Sequence, residues 1–436
     1  MNRTVCNAGA DPSNPIHMSL ASLIYSAFFL ALPWHSTAPT AIAAALALVG
    51  VARIARTKDI DQIDLRFAAL MLILPIAYSI NMAVTGWDLG ELSRPLRLVW
   101  AIPIFCVIRR INITVEILLI PIAVAAMMLM IFGLYQTQIN GFDRAQAAFP
   151  NAGAFGNYTS VFSVILLTYV LYGSNASRRS KGIATTAFVA CWVCMVISGT
   201  RSAWLAAIIV TPIALLAFPA PRRWSARALT LTIVAIAVAA ILSISLETIR
   251  GRVTLAYDEI TNYITNPDSD AAKNTAIGLR LASYKWGIER FRENPIFGIG
   301  IANFKHATEQ AAKAAEIPTQ ISRFKGLHNL IVDHLAKTGV TGLIAVAIFW
   351  IWIVHLFWIQ LRHPDTGQTR LFASFGLTLC LSEFIFSNVG SMFATSLGTT
   401  LWSLLLATFC AAASPKVNAG ASDASEGRSS GLGTPQ

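Results

Sequence analysis

Arg201, Arg280 and His328 are the side chains in this 436-residue sequence whose types and settings best suit chemistry on an anion. Two guanidinium groups can hold a diphosphate bidentately and offset the charge that grows on it as it leaves. An imidazole beside them can take or hold a proton near neutral pH. Arg201 lies in Ser198-Gly199-Thr200-Arg201-Ser202, between two apolar runs. A cation at membrane depth is costly and is usually partnered, the plain alternative being an arginine that snorkels to the interface. Arg280 follows Gly278-Leu279 at the start of an amphipathic stretch. A helix N-terminus disfavours a cation through its dipole, yet there free backbone N–H groups and a guanidinium can converge on an anion. The plain alternative is a solvated surface arginine. His328 opens His328-Asn329, with Gly339 and Gly342 downstream. On a helix it would share a face with Val332 and Leu335 while Asp333 and His334 point elsewhere. A lone histidine is more often a structural one, so it is the three together that carry the signal.

The elements that must position these groups are membrane helices. The chain is 55% hydrophobic and 13% charged, with mean hydropathy +0.59, whereas a soluble domain has about a quarter of its residues charged. Apolar runs predict twelve spans, at about 17–34, 38–54, 67–84, 96–108, 116–135, 158–173, 183–199, 202–219, 228–246, 340–361, 371–388 and 395–412. The run near Met18 is read as a retained first span, since no convincing cleavage site follows it. Arg and Lys concentrate in alternate short loops: Arg53, Arg56, Lys58 and Arg66, then Arg109 and Arg110, then Arg178, Arg179 and Lys181, then Arg222, Arg223 and Arg227, then Arg362 and Arg370. The other short loops hold only Arg94, Arg97, Arg144 and Arg201. By the positive-inside rule both termini are cytoplasmic and the long loop, about 247–327, is outside. The formal net charge of +11 is read as this bias, with no nucleic acid as a partner.

The long loop carries eleven Lys/Arg and nine Asp/Glu, a composition for a folded surface domain. Leu281, Tyr284, Ile288 and Phe291 at helical spacing predict a helix over 279–292, ended by Asn294-Pro295, and a second helix covers about 302–316. The chain therefore divides into helices 1–9 over 1–246, a loop domain with the His328 segment over 247–338, helices 10–12 over 339–412, and a disordered tail over 413–436, rich in Ser, Gly and Ala. No phosphate-binding glycine loop, no zinc-spaced His/Cys cluster and no D-x-D pair in the first outside loop occurs, so neither cofactor nor metal is expected. Cys191-x-x-Cys194 has the spacing of a redox pair but lies within an apolar run, where cysteine packs as a small hydrophobe. A secondary transporter for a small anion is the rival of another class. Transporters bind near the midplane on broken, repeated helices, whereas these cations fall at the outer surface.

His328-Asn329-x9-Gly339-x-x-Gly342 resembles the H-[NSQ]-x9-G-x-x-G pattern of bacterial O-antigen ligases. Ser198 to Trp204 is similar to their arginine-containing segment. Arg280, with Asn294-Pro295-Ile296-Phe297-Gly298-Ile299-Gly300 and Asn303-Phe304, is similar to their large-loop signature. The resemblance covers about 140–345 in detail and the whole chain in topology. It implies an all-α polytopic membrane protein of about twelve transmembrane helices, GT-C-like, with a large periplasmic loop between helices 9 and 10, in the bacterial inner membrane. It implies a metal-independent inverting glycosyltransferase that moves O-antigen polysaccharide from undecaprenyl diphosphate to a sugar hydroxyl of lipid A-core oligosaccharide on the periplasmic face. By the same resemblance Arg201 and Arg280 bind the diphosphate and His328 is catalytic, as base or as support for the leaving group, with Asn329 also binding substrate. O-antigen polymerases and protein O-oligosaccharyltransferases share this donor chemistry and differ in acceptor. The 136–157 loop, with Arg144, Pro150 and Asn151, is expected to shape the donor groove.

Overall fold

The structure, a computed structural model, describes residues 15–111, 113–173, 176–216, 218, 247–266, 269–362, 366–390, 393 and 395–415. The expected span at 228–246, Arg222, Arg223, Arg227, Cys6 and nearly all of the expected tail lie outside the described residues. Among the described residues the chain is all helical. In order, the helices are α1 (Pro15–Ala31), α2 (Ala38–Thr57), α3 (Gln62–Thr85), the four-residue α4 (Leu89–Leu92), α5 (Arg97–Arg109), α6 (Val115–Leu134), which runs on as a π-helical turn (Tyr135–Ile139), α7 (Ala152–Tyr172), α8 (Arg178–Ser198) and α9 (Arg201–Leu216). They continue with α10 (Glu247–Thr265), the short α11 (Asp270–Lys273), α12 (Ala276–Glu293), α13 (Phe304–Lys313), α14 (Leu330–Arg362), α15 (Gly367–Ser387) and α16 (Ser396–Ala413).

Each of the other eleven expected spans coincides with one of these helices. Eight of them, α2, α3, α6 with its π turn, α7, α8, α14, α15 and α16, are long and apolar enough to cross a membrane. The described part of α1 and α9 are apolar but shorter. At 13 residues α5 falls well short of the length a span needs. The most buried element is α16, in which Leu397 to Ala413 are all buried. Its small residues, among them Gly398, Thr399, Thr400, Ser403 and Ala407, let α5 and α15 pack close against it.

At one end of the bundle, charge fixes the short α2–α3 turn. Asp61 caps α3 by accepting from the Ile63 and Asp64 amides, and Asp64 accepts in return from the Asp61 amide. Arg109 bonds both carboxylates, at 2.9 Å to Asp64, and Arg110 reaches Asp64 and Asp59. The Arg109 side chain also donates to the Pro415 carbonyl, tying the end of the described chain to the same cluster.

At the other end the segment 295–301 docks on α3 and on α14. The Ile299 and Gly300 amides donate to the Ala336 and Lys337 carbonyls, and the Val340 and Thr341 amides donate to those of Pro295 and Ile296. Asn81, buried in α3, donates to the Phe297 carbonyl at 2.7 Å and accepts from the Ile301 amide at 3.1 Å. Gly339, φ 62°, breaks the helical geometry of α14 where this segment lies against it.

Two expectations about helix faces need correction. In α12 the buried face is Gly278, Ala282, Ser283, Trp286 and Gly287, not Leu281, Tyr284, Ile288 and Phe291. At Gly287 a small residue is required because the α14 segment approaches closely: a Cβ there would meet Leu327 and Val332. His328 is not on a helix. Its φ of 55° holds it in the turn before α14, so the expected shared face with Val332 and Leu335 does not form.

Candidate functional site

The Arg201 turn is held from three sides. α8 ends at Gly199 in the left-handed conformation and α9 starts two residues later, leaving Ser198 and Thr200 buried between the helices. The Thr200 hydroxyl donates to the Ala152 carbonyl at 2.9 Å. Arg144 donates from Nε to the Ser198 carbonyl at 2.6 Å and from its terminal nitrogen to the Thr200 hydroxyl at 3.2 Å. Ser202 donates to Asn157 Oδ1 of α7. With the backbone thus pinned, the Arg201 side chain stands exposed at the start of α9.

Arg280 sits on the second turn of α12, in whose first turn two amides bond to side chains. The Thr275 hydroxyl caps it by accepting from Gly278 N, and the carboxylate of Glu259 in α10, itself buried, accepts from Ile277 N at 3.0 Å. The chain's own side-chain oxygens thus take two of the amides expected to converge on an anion there, and the guanidinium remains to meet one. Among the described residues neither Arg201 nor Arg280 forms an ion pair.

His328 is anchored to the same helix. Tyr284, one turn beyond Arg280, donates its hydroxyl to the His328 carbonyl at 2.9 Å. The imidazole meets the Phe324 ring edge-on at 4.6 Å between centroids, and its Nδ1 is buried with no partner among the described residues. Burial and then the Arg280 charge push the His328 pKa below the ordinary histidine value, so the ring is neutral at pH 7. Asp333 does not join it: its carboxylate accepts from the Leu327 amide at 2.8 Å and pairs with Lys337 at 2.9 Å, which shapes the loop. His334 faces a separate cavity of about 40 Å³ beside Tyr78.

Arg201, Arg280 and His328, from three separate segments, line one cavity of about 770 Å³. Arg144, Pro150 and Asn151 of the 136–157 loop line it too, as do Arg323, Lys325, Phe386 and Phe393. Asn329 does not: its Oδ1 accepts from the Ile331 and Val332 amides and caps α14, so it supports the His328 turn from behind. Sequence reasoning passed over Thr200 and Asn157, which fix the Arg201 turn, and Glu383 of α15, which lines the cavity. A lone carboxylate inside an apolar span was the available signal for Glu383.

The cavity gathers the guanidinium groups of Arg201 and Arg280 and the His328 imidazole, an arrangement suited to an anion. Residues 186–347 match the O-antigen ligase family. No curated protein matches the chain. The matched O-antigen ligase segment runs from within α8 to the part of α14 just beyond Gly342, and so contains all three of these residues. Arg144, Asn81 and Glu383 lie outside it.

Proposed function

We propose that this chain is an O-antigen ligase: a glycosyltransferase that moves polysaccharide from undecaprenyl diphosphate to a sugar hydroxyl of lipid A-core oligosaccharide. The observation that carries the reading is that Arg201, Arg280 and His328, separated by long stretches of sequence, line a single cavity. In this reading the protein spans the bacterial inner membrane about twelve times in a GT-C-like arrangement. The cavity faces the periplasm and both termini lie in the cytoplasm, consistent with the alternation of basic loops.

The chemistry follows from the charges. The acceptor oxygen attacks the anomeric carbon, the bond from that carbon to the diphosphate oxygen breaks, and the electron pair leaves with the diphosphate, giving inversion. Arg201 and Arg280 stabilise the developing charge in a site partly closed to water, where fixed cations act most strongly. Arg144 is occupied in holding the Arg201 turn and serves the site through it.

The test is transfer in vitro from undecaprenyl-diphosphate glycan to purified core lipid, with and without EDTA. Wild-type protein gives capped core lipid under both conditions, whereas Arg280→Ala and His328→Ala, correctly inserted, give none. Strict dependence on Mg²⁺ would remove the role given to the arginines. Elongation of the lipid-linked glycan in place of transfer to core lipid would make the chain a polymerase.

A further inference from the structure

From the lining of the cavity we infer that Glu383 is the general base, accepting the proton of the attacking sugar hydroxyl. The assignment rests on the ligase reading and adds to it the group that activates the acceptor. Among the described residues lining the cavity, Glu383 is the sole acidic one, against Arg144, Arg201, Arg280, Arg323 and Lys325. It is also the sole charge in α15 beyond Arg370, the rest of which, from Leu371 to Ser387, is apolar or carries hydroxyls. Among the described residues no Lys, Arg or His pairs with it, so it is not one half of a structural ion pair. The Ser387 hydroxyl and the Phe393 backbone hydrogen-bond this carboxyl, but no cation offsets it; a carboxyl in a membrane helix is costly, and one without a counter-charge on the wall of a substrate-sized cavity is kept for what enters that cavity.

The division of labour follows from neighbours. His328 shares the electrostatic field of Arg280, and Tyr284 ties the His328 backbone to the helix that bears Arg280. Whatever anion Arg280 holds, His328 is beside it, so the imidazole belongs with the leaving diphosphate. Glu383 comes from a different element, α15, with the apolar side chains of Phe386 and Phe393 beside it on the cavity wall. An inverting displacement needs the base away from the leaving group, and a base on a separate helix provides that. In the step, the hydroxyl oxygen bonds the anomeric carbon and its proton passes to a Glu383 oxygen. The bond to the diphosphate breaks with its electron pair on the diphosphate. The protonated Glu383 then returns its proton to water.

The experiment is steady-state transfer from undecaprenyl-diphosphate glycan to core lipid by full-length protein in lipid nanodiscs, comparing wild type, Glu383→Gln, Glu383→Asp and Glu383→Ala. The expected result for Glu383→Gln is a fall in kcat of about 10²–10⁴-fold, the usual range for a lost general base, with the donor KM little changed. Glu383→Asp, which keeps the carboxyl, retains more rate than the Gln variant, and added formate restores transfer by Glu383→Ala. A Gln variant within about threefold of wild type overturns the assignment, as does a change confined to KM. Should the Gln variant not insert, Glu383→Asp and formate rescue decide it, and absence of rescue in folded Glu383→Ala overturns it. Wild-type transfer with an equally fast Gln variant sinks only the role of Glu383. A wild type that moves no glycan to core lipid sinks the ligase reading and this inference with it.

Discussion

Gly298 and Gly339 are packed backbone against backbone, each in the left-handed region, at φ 65° and 62°. A Cβ on Gly298 would stand 2.5 Å from the Ala336 carbonyl oxygen, and one on Gly339 would strike the Ile296 carbonyl. Between them run the four backbone hydrogen bonds that join 295–300 to 336–341. The glycines of the two signature stretches thus serve one joint, which seats the loop domain on α14 next to the His328 turn.

Gly298→Ala and Gly339→Ala should each destabilise the protein by about 3 kcal/mol, combining the left-handed penalty with overpacking against a carbonyl. The control is Gly182→Ala in α8, where an added Cβ meets nothing within 4 Å and helix propensity favours alanine. Thermal unfolding in detergent checks this. Equal melting temperatures for the Gly339 and Gly182 variants would show that the joint contributes nothing.

Asn81→Leu should cost about 2–4 kcal/mol and loosen the same joint from the α3 side. Both ends of the Asn81 amide are used, by the Phe297 carbonyl and the Ile301 amide, and leucine would leave both groups buried and unpaired. Limited proteolysis within 295–303 reports it, cleavage rising in the variant. Unchanged protection would mean that the backbone bonds to α14 suffice.

Helices were legible in this sequence wherever apolar runs were long, because the bilayer imposes length and polarity independently of neighbours. The cavity was legible in part, since Arg201, Arg280 and His328 stand out as ionisable groups at apolar boundaries. What was not legible depended on neighbours distant in sequence. Asn329, expected to bind substrate, uses its side-chain oxygen to cap α14. The buried face of α12 departs from the expected one because the close approach of the α14 segment at Gly287 and of the Ala272 carbonyl at Gly278 leaves no room for a side chain there. Glu383 is a single letter in an apolar run, and only the packing of α15 beside the Arg201 turn gives it a setting.

His328 should titrate below the ordinary histidine value of about 6.5, and Arg280→Ala should raise its pKa. Burial is the larger cause of the depression and remains in the variant, so the shift recovers only the part owed to Arg280. In the folded chain the neutral ring is favoured, so the unfolded chain takes up this proton at higher pH than the native one. Stability contributed here is present above about 6.5 and is lost as pH falls from there through the lower folded value. Nuclear magnetic resonance of ¹⁵N-histidine-labelled protein, with His328→Gln for assignment, reads the titration. An unshifted pKa in Arg280→Ala would separate the two side chains.

The α2–α3 turn should make the protein sensitive to acid at the end of the bundle far from the cavity. A hydrogen bond from Arg109 holds the Asp61 carboxyl well below the usual carboxylate range, and one from Arg110 lowers that of Asp59. Their stabilisation is complete above the unfolded carboxylate pKa near 4 and is lost as pH falls through the lower folded values. Both carboxylates are partly exposed, so salt screens this part. Asp64 differs. Its side chain and that of Arg109 are almost wholly buried, so Asp64→Ala leaves a buried guanidinium short of a partner and should cost about 3 kcal/mol even at neutral pH. Melting curves from pH 7 to pH 3 should show wild type losing stability below pH 4, with Asp64→Ala already lowered at pH 7. If the variant melted with wild type at pH 7, the cluster would be a surface charge pattern and not the clasp of the α2–α3 turn.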